Sequence, residues 1–213
     1  MMKNNYKYFV ILGDVVDSST QSGVNNALHK SVQQINKQMA ESWKTSFEIT
    51  RGDEVAIVVD KSCAWFKLIK NFNDFVRPFR LRWIVVYGEI QEGLEFQSSA
   101  EAVGPAFIKA DQLMRQLKKT DLLFEIEIGN TELNKQLRGI INLFLWRINN
   151  LSGLQLKILR KYQTSKKQMD VARSLGKSQQ QIQRSLKAIG WDTCDLAENA
   201  IDSLINDINQ KLI

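Results

Sequence analysis

Two carboxylates in this 213-residue chain, Asp14 and Asp53, are spaced so that a simple sheet would bring them together. Asp14 stands at the far end of KYFVILGDVV (7–16), a nearly continuous, β-rich apolar run that reads as a central strand buried on both faces. Asp53 follows Gly52 within TSFEITRGDEVAIVVD (45–60), two strand segments joined by a pair with the chemistry of a two-residue hairpin turn. If the first strand lies beside the second strand of the hairpin, the two carboxylates face each other at one edge of the sheet. Hard Mg²⁺ or Mn²⁺ prefers such oxygen ligands, and Mg²⁺ takes one or two carboxylates with water and substrate phosphates. Ser18 and Ser19 follow at the start of the next helix, where free backbone amides favour a phosphate, so the set suits a nucleoside triphosphate. The plainer alternative stays open: a good hairpin turn at Gly52-Asp53 and a solvated strand end at Asp14.

Other chemistries have little to build on. His29 is the only histidine and lies inside a helical pattern, which leaves no Ser-His-Asp or Cys-His arrangement without it. Cys63 and Cys194 form no CxxC pair, so neither a disulfide framework nor a Cys/His zinc site is expected. No run approaches the apolar length of a membrane span, and the apolar run near the start is too short for a signal peptide, so we expect a cytoplasmic protein without a membrane partner. Trp43, Trp65, Trp83, Trp146 and Trp191 read as core residues rather than ligand platforms.

The elements that must position the carboxylates alternate. Val24, Leu28, Val32, Ile35 and Met39 recur at three- and four-residue steps, predicting a helix from Gly23 to Trp43. A helix over 62–75, a buried strand LRWIVVYGE (81–89), a helix over 103–119 and a strand over 121–129 follow. The order β-α-β-β-α-β-α-β opens with the ferredoxin-like split βαβ unit, an antiparallel α+β sheet domain.

Charge separates this part from the rest. Residues 1–130 hold 16 Lys and Arg against 16 Asp and Glu, whereas 131–213 hold 13 against 7. Within 151–190 nine basic residues face Asp170 alone, a concentration that asks for a polyanion. After a helix from Thr131 carrying Leu133, Leu137, Ile140, Ile141, Phe144 and Ile148, three short helices are expected over Leu154–Tyr162, Ser165–Leu175 and Gln179–Ile189. Ala172, Gly176 and Ile182 have the spacing of a helix-turn-helix: a small residue at the crossing, a glycine turn and an aliphatic lock. Ser178 is a good N-cap. Gln179, Gln180, Gln181, Gln183, Arg184 and Lys187 then face outward, suited to base edges in a major groove, with Lys166 and Lys167 on phosphates. Trihelical units of this spacing also serve as protein-protein modules, the alternative reading. A last amphipathic helix, with Leu196, Ala200, Ile201, Leu204, Ile205, Ile208 and Leu212, caps the module or pairs with its twin.

VILGDVVDSS (10–19), FEITRGDEVAIVV (47–59) and GPAFIKADQL (104–113) together resemble the catalytic domains of class-three nucleotide cyclases and GGDEF-type diguanylate cyclases. The resemblance implies two metal ions, Mg²⁺ or Mn²⁺, on Asp14, the Val15 carbonyl and Asp53, holding a nucleotide. Over its whole length the chain looks most like the SatD family. One departure bears on turnover: the cyclase positions for a ribose-orienting Asn and a transition-state Arg are Ile108 and Gln112 here. The cation that would compensate charge developing on phosphate is therefore missing, unless Lys109 or Arg115 substitutes or a partner subunit supplies one.

The expected organisation is a cyclase-like domain over 1–129, a connecting helix and linker over 130–153, and a helix-turn-helix domain over 154–213. Two functions follow. The first is a dimeric regulator of transcription that binds double-stranded DNA, its first domain taking a nucleotide or related phosphate ligand through Ser18, Ser19 and Lys109 with a divalent metal and without turnover. The second is an active nucleotide cyclase or nucleotidyltransferase.

Overall fold

The computed structural model describes residues 6–38 and 41–211. Five strands, β1 (Lys7–Val15), β2 (Glu48–Arg51), β3 (Glu54–Val59), β4 (Leu81–Glu89) and β5 (Phe124–Glu127), form one sheet in the order β2-β3-β1-β4-β5. The pairs β2·β3, β3·β1 and β1·β4 are antiparallel and β4·β5 is parallel. The first four strands have the predicted split βαβ order. β1 is its centre because a run with no polar residue between Phe9 and Leu12 can satisfy its backbone only by pairing on both sides.

The period-2 alternation of the strands assigns each face a layer. On one face Val10, Leu12, Ala56, Val58, Ile84 and Val86 pack against Ala106, Ala110, Met114 and Leu117 of α3 (Pro105–Leu117). The other face carries Phe9, Ile11, Val55, Ile57, Trp83 and Val85, all without exposed surface. Trp83 there meets Phe72 edge to face, and Phe9 lies near Trp65, both partners on α2 (Trp65–Val76). Gly13 is required at this position: a Cβ would sit 2.6 Å from the Trp83 ring and 2.9 Å from Val55.

α1 covers Val24–Asn36, shorter than the predicted 23–43. Lys37 is the C-cap, and Asn36 turns its side chain to the backbone of Phe47, both accepting from its N–H and donating to its carbonyl at 2.9 Å. Trp43 leaves the helix to form a bridge with Val59. Met39 and Leu212 lie outside the described residues.

The chain divides into two compact units: one runs to Asn142 and resumes at Asp202, the other is Leu143–Ile201. The boundaries fall inside α4 (Thr131–Asn149) and α8 (Trp191–Lys211). Within the second unit α5 (Gly153–Ser165), α6 (Gln168–Leu175) and α7 (Gln179–Ile189) enclose a core of Leu156, Ile158, Leu159, Val171, Ala172, Ile182, Leu186 and Ile189. α5 extends to Ser165, and Lys166 in the left-handed conformation ends it, so α6 starts three residues later than the periodicity suggests. Three tryptophans are buried as expected, Trp43, Trp65 and Trp83, whereas Trp146 is 60% exposed. Among the described residues no helix is long and apolar enough to cross a membrane.

Candidate functional site

Strand register places Asp14 in a row of charge. It pairs with Glu54 on β3 and Arg82 on β4, and directly opposed residues of antiparallel strands share a face. That face belongs to α3: its apolar rows at Val10 and Leu12 end at Asp14, only 3% exposed. Lys118, the residue closing α3, reaches down so that its Nζ lies 2.6 Å from Asp14 Oδ1, while Arg82 Nη1 lies 3.8 Å from Oδ2. Arg82 is largely buried, and its Nε has no hydrogen-bond partner. Burial pushes the Asp14 carboxyl above its ordinary range; the hydrogen bond and charge of Lys118 pull it back, Asp53 adds repulsion, and Arg82 offsets some of that.

The structure therefore brings Asp14 and Asp53 together. The main chain links them, the Val15 N–H donating to the Asp53 carbonyl at 3.3 Å. As placed, these groups do not fit a divalent ion, since both Asp14 oxygens already face a protein cation. Ser18 and Ser19 stand elsewhere than predicted. They form a single 3-10 turn, Ser18–Thr20, while α1 begins only at Val24 behind Gly23, so neither serine sits at that helix N-terminus. Asp17 ends β1 abruptly by entering the left-handed region at φ 54°, which is what separates strand from helix here. Lys109, Ile108 and Gln112 are exposed on α3.

Beside this row opens a cleft of about 620 Å³, within the range of small-molecule sites. Leu12, Ala56, Val103, Pro105 and Phe107 supply its apolar wall, and Thr50, Arg51, Glu54, Gln91, Ser99 and Asp111 its polar groups. Glu54 is pushed up by burial and by the neighbouring Asp111 charge, against Arg51 and the Thr50 hydroxyl; Asp14 adds to the rise. Arg51 Nη1 lies 3.5 Å from Asp111 and is itself mostly in solvent. The loop walling the cleft is tied down by Glu48, which accepts from the Ser98 and Ser99 hydroxyls and the Ala100 N–H at 2.8, 3.2 and 3.1 Å. Sequence reading passed over Glu54, Asp111, Lys118 and Arg82. Only the alternation through Leu12 and Asp14 on one strand, and through Glu54 and Ala56 on its neighbour, points toward the first of them.

In the second unit the predicted face exists. Ile182, Leu186 and Ile189 are buried, and Gln179, Gln180, Gln181, Gln183, Arg184 and Lys187 are exposed. α7 carries no acidic residue. Ser178 is its N-cap: the Ser178 hydroxyl accepts from Gln181 N–H, and the Gln181 side-chain oxygen accepts from Ser178 N–H. Gln181 is thus committed to the cap. Gly176, at φ 61°, closes α6 and makes the turn, and the Lys177 N–H donates to the Ala172 carbonyl at 3.0 Å. Lys167 is exposed at the start of α6. Lys166 is not free: its Nζ lies 3.3 Å from Asp195 and 4.4 Å from the Trp191 ring centre.

No curated protein matches the chain. A solved structure of a bacterial light-regulated adenylyl cyclase is similar at 14% identity with a TM-score of 0.42, the match covering 56% of this chain and 42% of that one. The chain thus spans less than half the length of that cyclase chain. Residues 8–193 match the family described as the SatD family. That match takes in the sheet from its second residue onward, the charged row at Asp14 and all three helices of the second unit's core, and the chain belongs to the SatD family.

Proposed function

We propose that this protein is a DNA-binding regulator whose helical unit docks on duplex DNA through α7, with the α+β unit as its regulatory, ligand-taking part. The observation that carries this reading is the division of α7. One side is wholly apolar and buried; the other is Gln179, Gln180, Gln183, Arg184 and Lys187, free of acidic residues. Gln matches adenine and Arg matches guanine at the major-groove edge, while lysines neutralise phosphates. Beside α7 a second cleft, about 480 Å³, is lined by Gln168, Gln183, Lys187 and Thr193 and also by Tyr162, Trp191 and Asp192, so its charge is mixed.

The regulatory limb rests on the 620 Å³ cleft. Its inner carboxylates, Glu54 and Asp111, oppose an anion, so a phosphate-bearing ligand would seat that group at the Arg51 rim and its uncharged part inside. Ile108 and Gln112 leave no cation at the positions turnover would use, and we read the unit as binding without catalysis.

Anisotropy titration of the full chain on duplex DNA tests the main limb. Affinity is expected to fall steeply with salt. Arg184→Ala should weaken binding roughly 5- to 150-fold, equivalent to about 1–3 kcal/mol, and relax preference at one position, whereas Lys167→Ala should weaken all sequences alike. A dimer would prefer half-sites roughly 34–36 Å apart. Absence of duplex binding at low salt would overturn the reading.

A further inference from the structure

We propose that Lys118 is the resident cation of the Asp14–Asp53 site: it occupies the place on Asp14 that a divalent ion would need, so the wild-type site works without metal. The inference is independent of DNA binding.

Asp14 is buried at the end of an apolar row, and an isolated carboxylate there is costly without a partner. A divalent ion and a lysine are two ways to supply the charge, and they exclude each other. Mg²⁺ sits about 2.0–2.1 Å from each oxygen, whereas Lys118 Nζ is already 2.6 Å from Oδ1. Both cations on one oxygen would repel each other, the carboxylate itself being buried. Arg82, 3.8 Å from the other oxygen, is the more distant of the two cations, so Lys118 is the one that stands where a metal would have to bind.

The competition is not between equals. A free ion must be drawn from dilute solution, but the ammonium is tethered to the end of α3 and its effective concentration at Asp14 is set by one side chain. Position reinforces this, because a cation is favoured at a helix C-terminus. Lys118 is still 44% exposed, so its charged end keeps part of its hydration while pairing.

Without Lys118, the opposition reverses. Asp14 would then lie beside Asp53 and Glu54, which both interact unfavourably with its charge or are raised by it. Among the described residues no group of three or more acidic, histidine or cysteine side chains is arranged to hold a metal. The site exposed by the substitution would therefore be a two-carboxylate site completed by water.

Electron paramagnetic resonance of free Mn²⁺ during titration of the full chain counts bound ions directly. Wild type and Asp14→Asn should bind Mn²⁺ equally poorly in the submillimolar range. Lys118→Met should gain one Mn²⁺ site and an Mn²⁺-dependent rise in melting temperature, and the Lys118→Met, Asp14→Asn double variant should lose both. Lys118→Gln, closer in polarity, repeats the measurement if the methionine variant folds poorly, and Lys118→Arg should gain no site. Mn²⁺ bound by wild type and lost in Asp14→Asn would overturn the proposal, as would a folded Lys118→Gln that gains no site.

Discussion

The two units dispose of charge in opposite ways. Around Asp14 the first unit turns charges inward and pairs them: a buried carboxylate, an ammonium at 2.6 Å and a largely buried guanidinium. Along α7 the second unit turns them outward, with Arg184 and Lys187 exposed above a wholly apolar underside. Equal charges in the sequence thus mean different things. An inward charge fixes the fold and resists a visiting ion, whereas an outward one leaves its hydrogen-bonding capacity to a partner. The net charge agrees, since residues 1–130 are balanced and the excess lies beyond them.

The largest effect that would sharpen this contrast is removal of an inward charge. Asp14→Ala leaves Arg82 buried without its carboxylate and is expected to cost about 3–5 kcal/mol, the usual penalty for breaking a buried pair. Chemical denaturation measures it, and a loss below about 1 kcal/mol would place Asp14 among ordinary surface pairs. The same contrast predicts that Arg184→Ala leaves stability nearly unchanged while weakening DNA binding.

Next in size is the Glu48 clasp. Burial would raise this carboxyl, but the Ser98 hydroxyl, the Ala100 N–H and the Ser99 hydroxyl outweigh it and hold it below 4.5. A depressed folded value means stability that is present above 4.5 and lost as pH falls through the folded value. Glu48→Gln should therefore be less stable than wild type near neutrality, by about 1–2 kcal/mol, and the gap should close in acid. Asp14 and Glu54 act with the opposite sign, because raised carboxyls favour the folded state as they protonate. Melting curves across the acid range, wild type against variant, separate the two. A gap independent of pH would mean the clasp is not electrostatic.

The smallest effect divides neighbours on one helix. Gln181→Ala should cost about 0.5–1 kcal/mol of stability through its cap, with DNA affinity per folded molecule unchanged. Gln180→Ala should do the reverse. If both act on binding alone, the assignment of Gln181 to the cap fails.

The strands were the most legible part of the sequence. β4 has the predicted bounds, and β1 differs by one residue, because a strand buried on both faces is a long apolar run that few other structures produce. α1 was less legible: its three- and four-residue periodicity continued toward Met39, while the Asn36 side chain bonds the Phe47 backbone, a tertiary contact that periodicity cannot register. The site divides similarly. The meeting of Asp14 with Asp53 follows from topology, so the order of elements was enough to expect it. Lys118 was invisible because it arrives from the end of α3, more than a hundred positions from Asp14, in a pair of lysines that reads as a solvated helix end. Ser18 and Ser19 were misplaced since the left-handed turn at Asp17 lies at a non-glycine residue and leaves no sequence signal.

The division of α8 has a consequence for how the chain is made. The first unit is finished only by residues from Asp202 onward, including the buried Ile205 and Ile208, which leave the ribosome after the whole of Leu143–Ile201. A unit made of two separated segments is complete only once the segment between them has been synthesised, whereas the helical unit is continuous in sequence. The first unit, though it emerges first, is thus complete only after the whole of the second has been made.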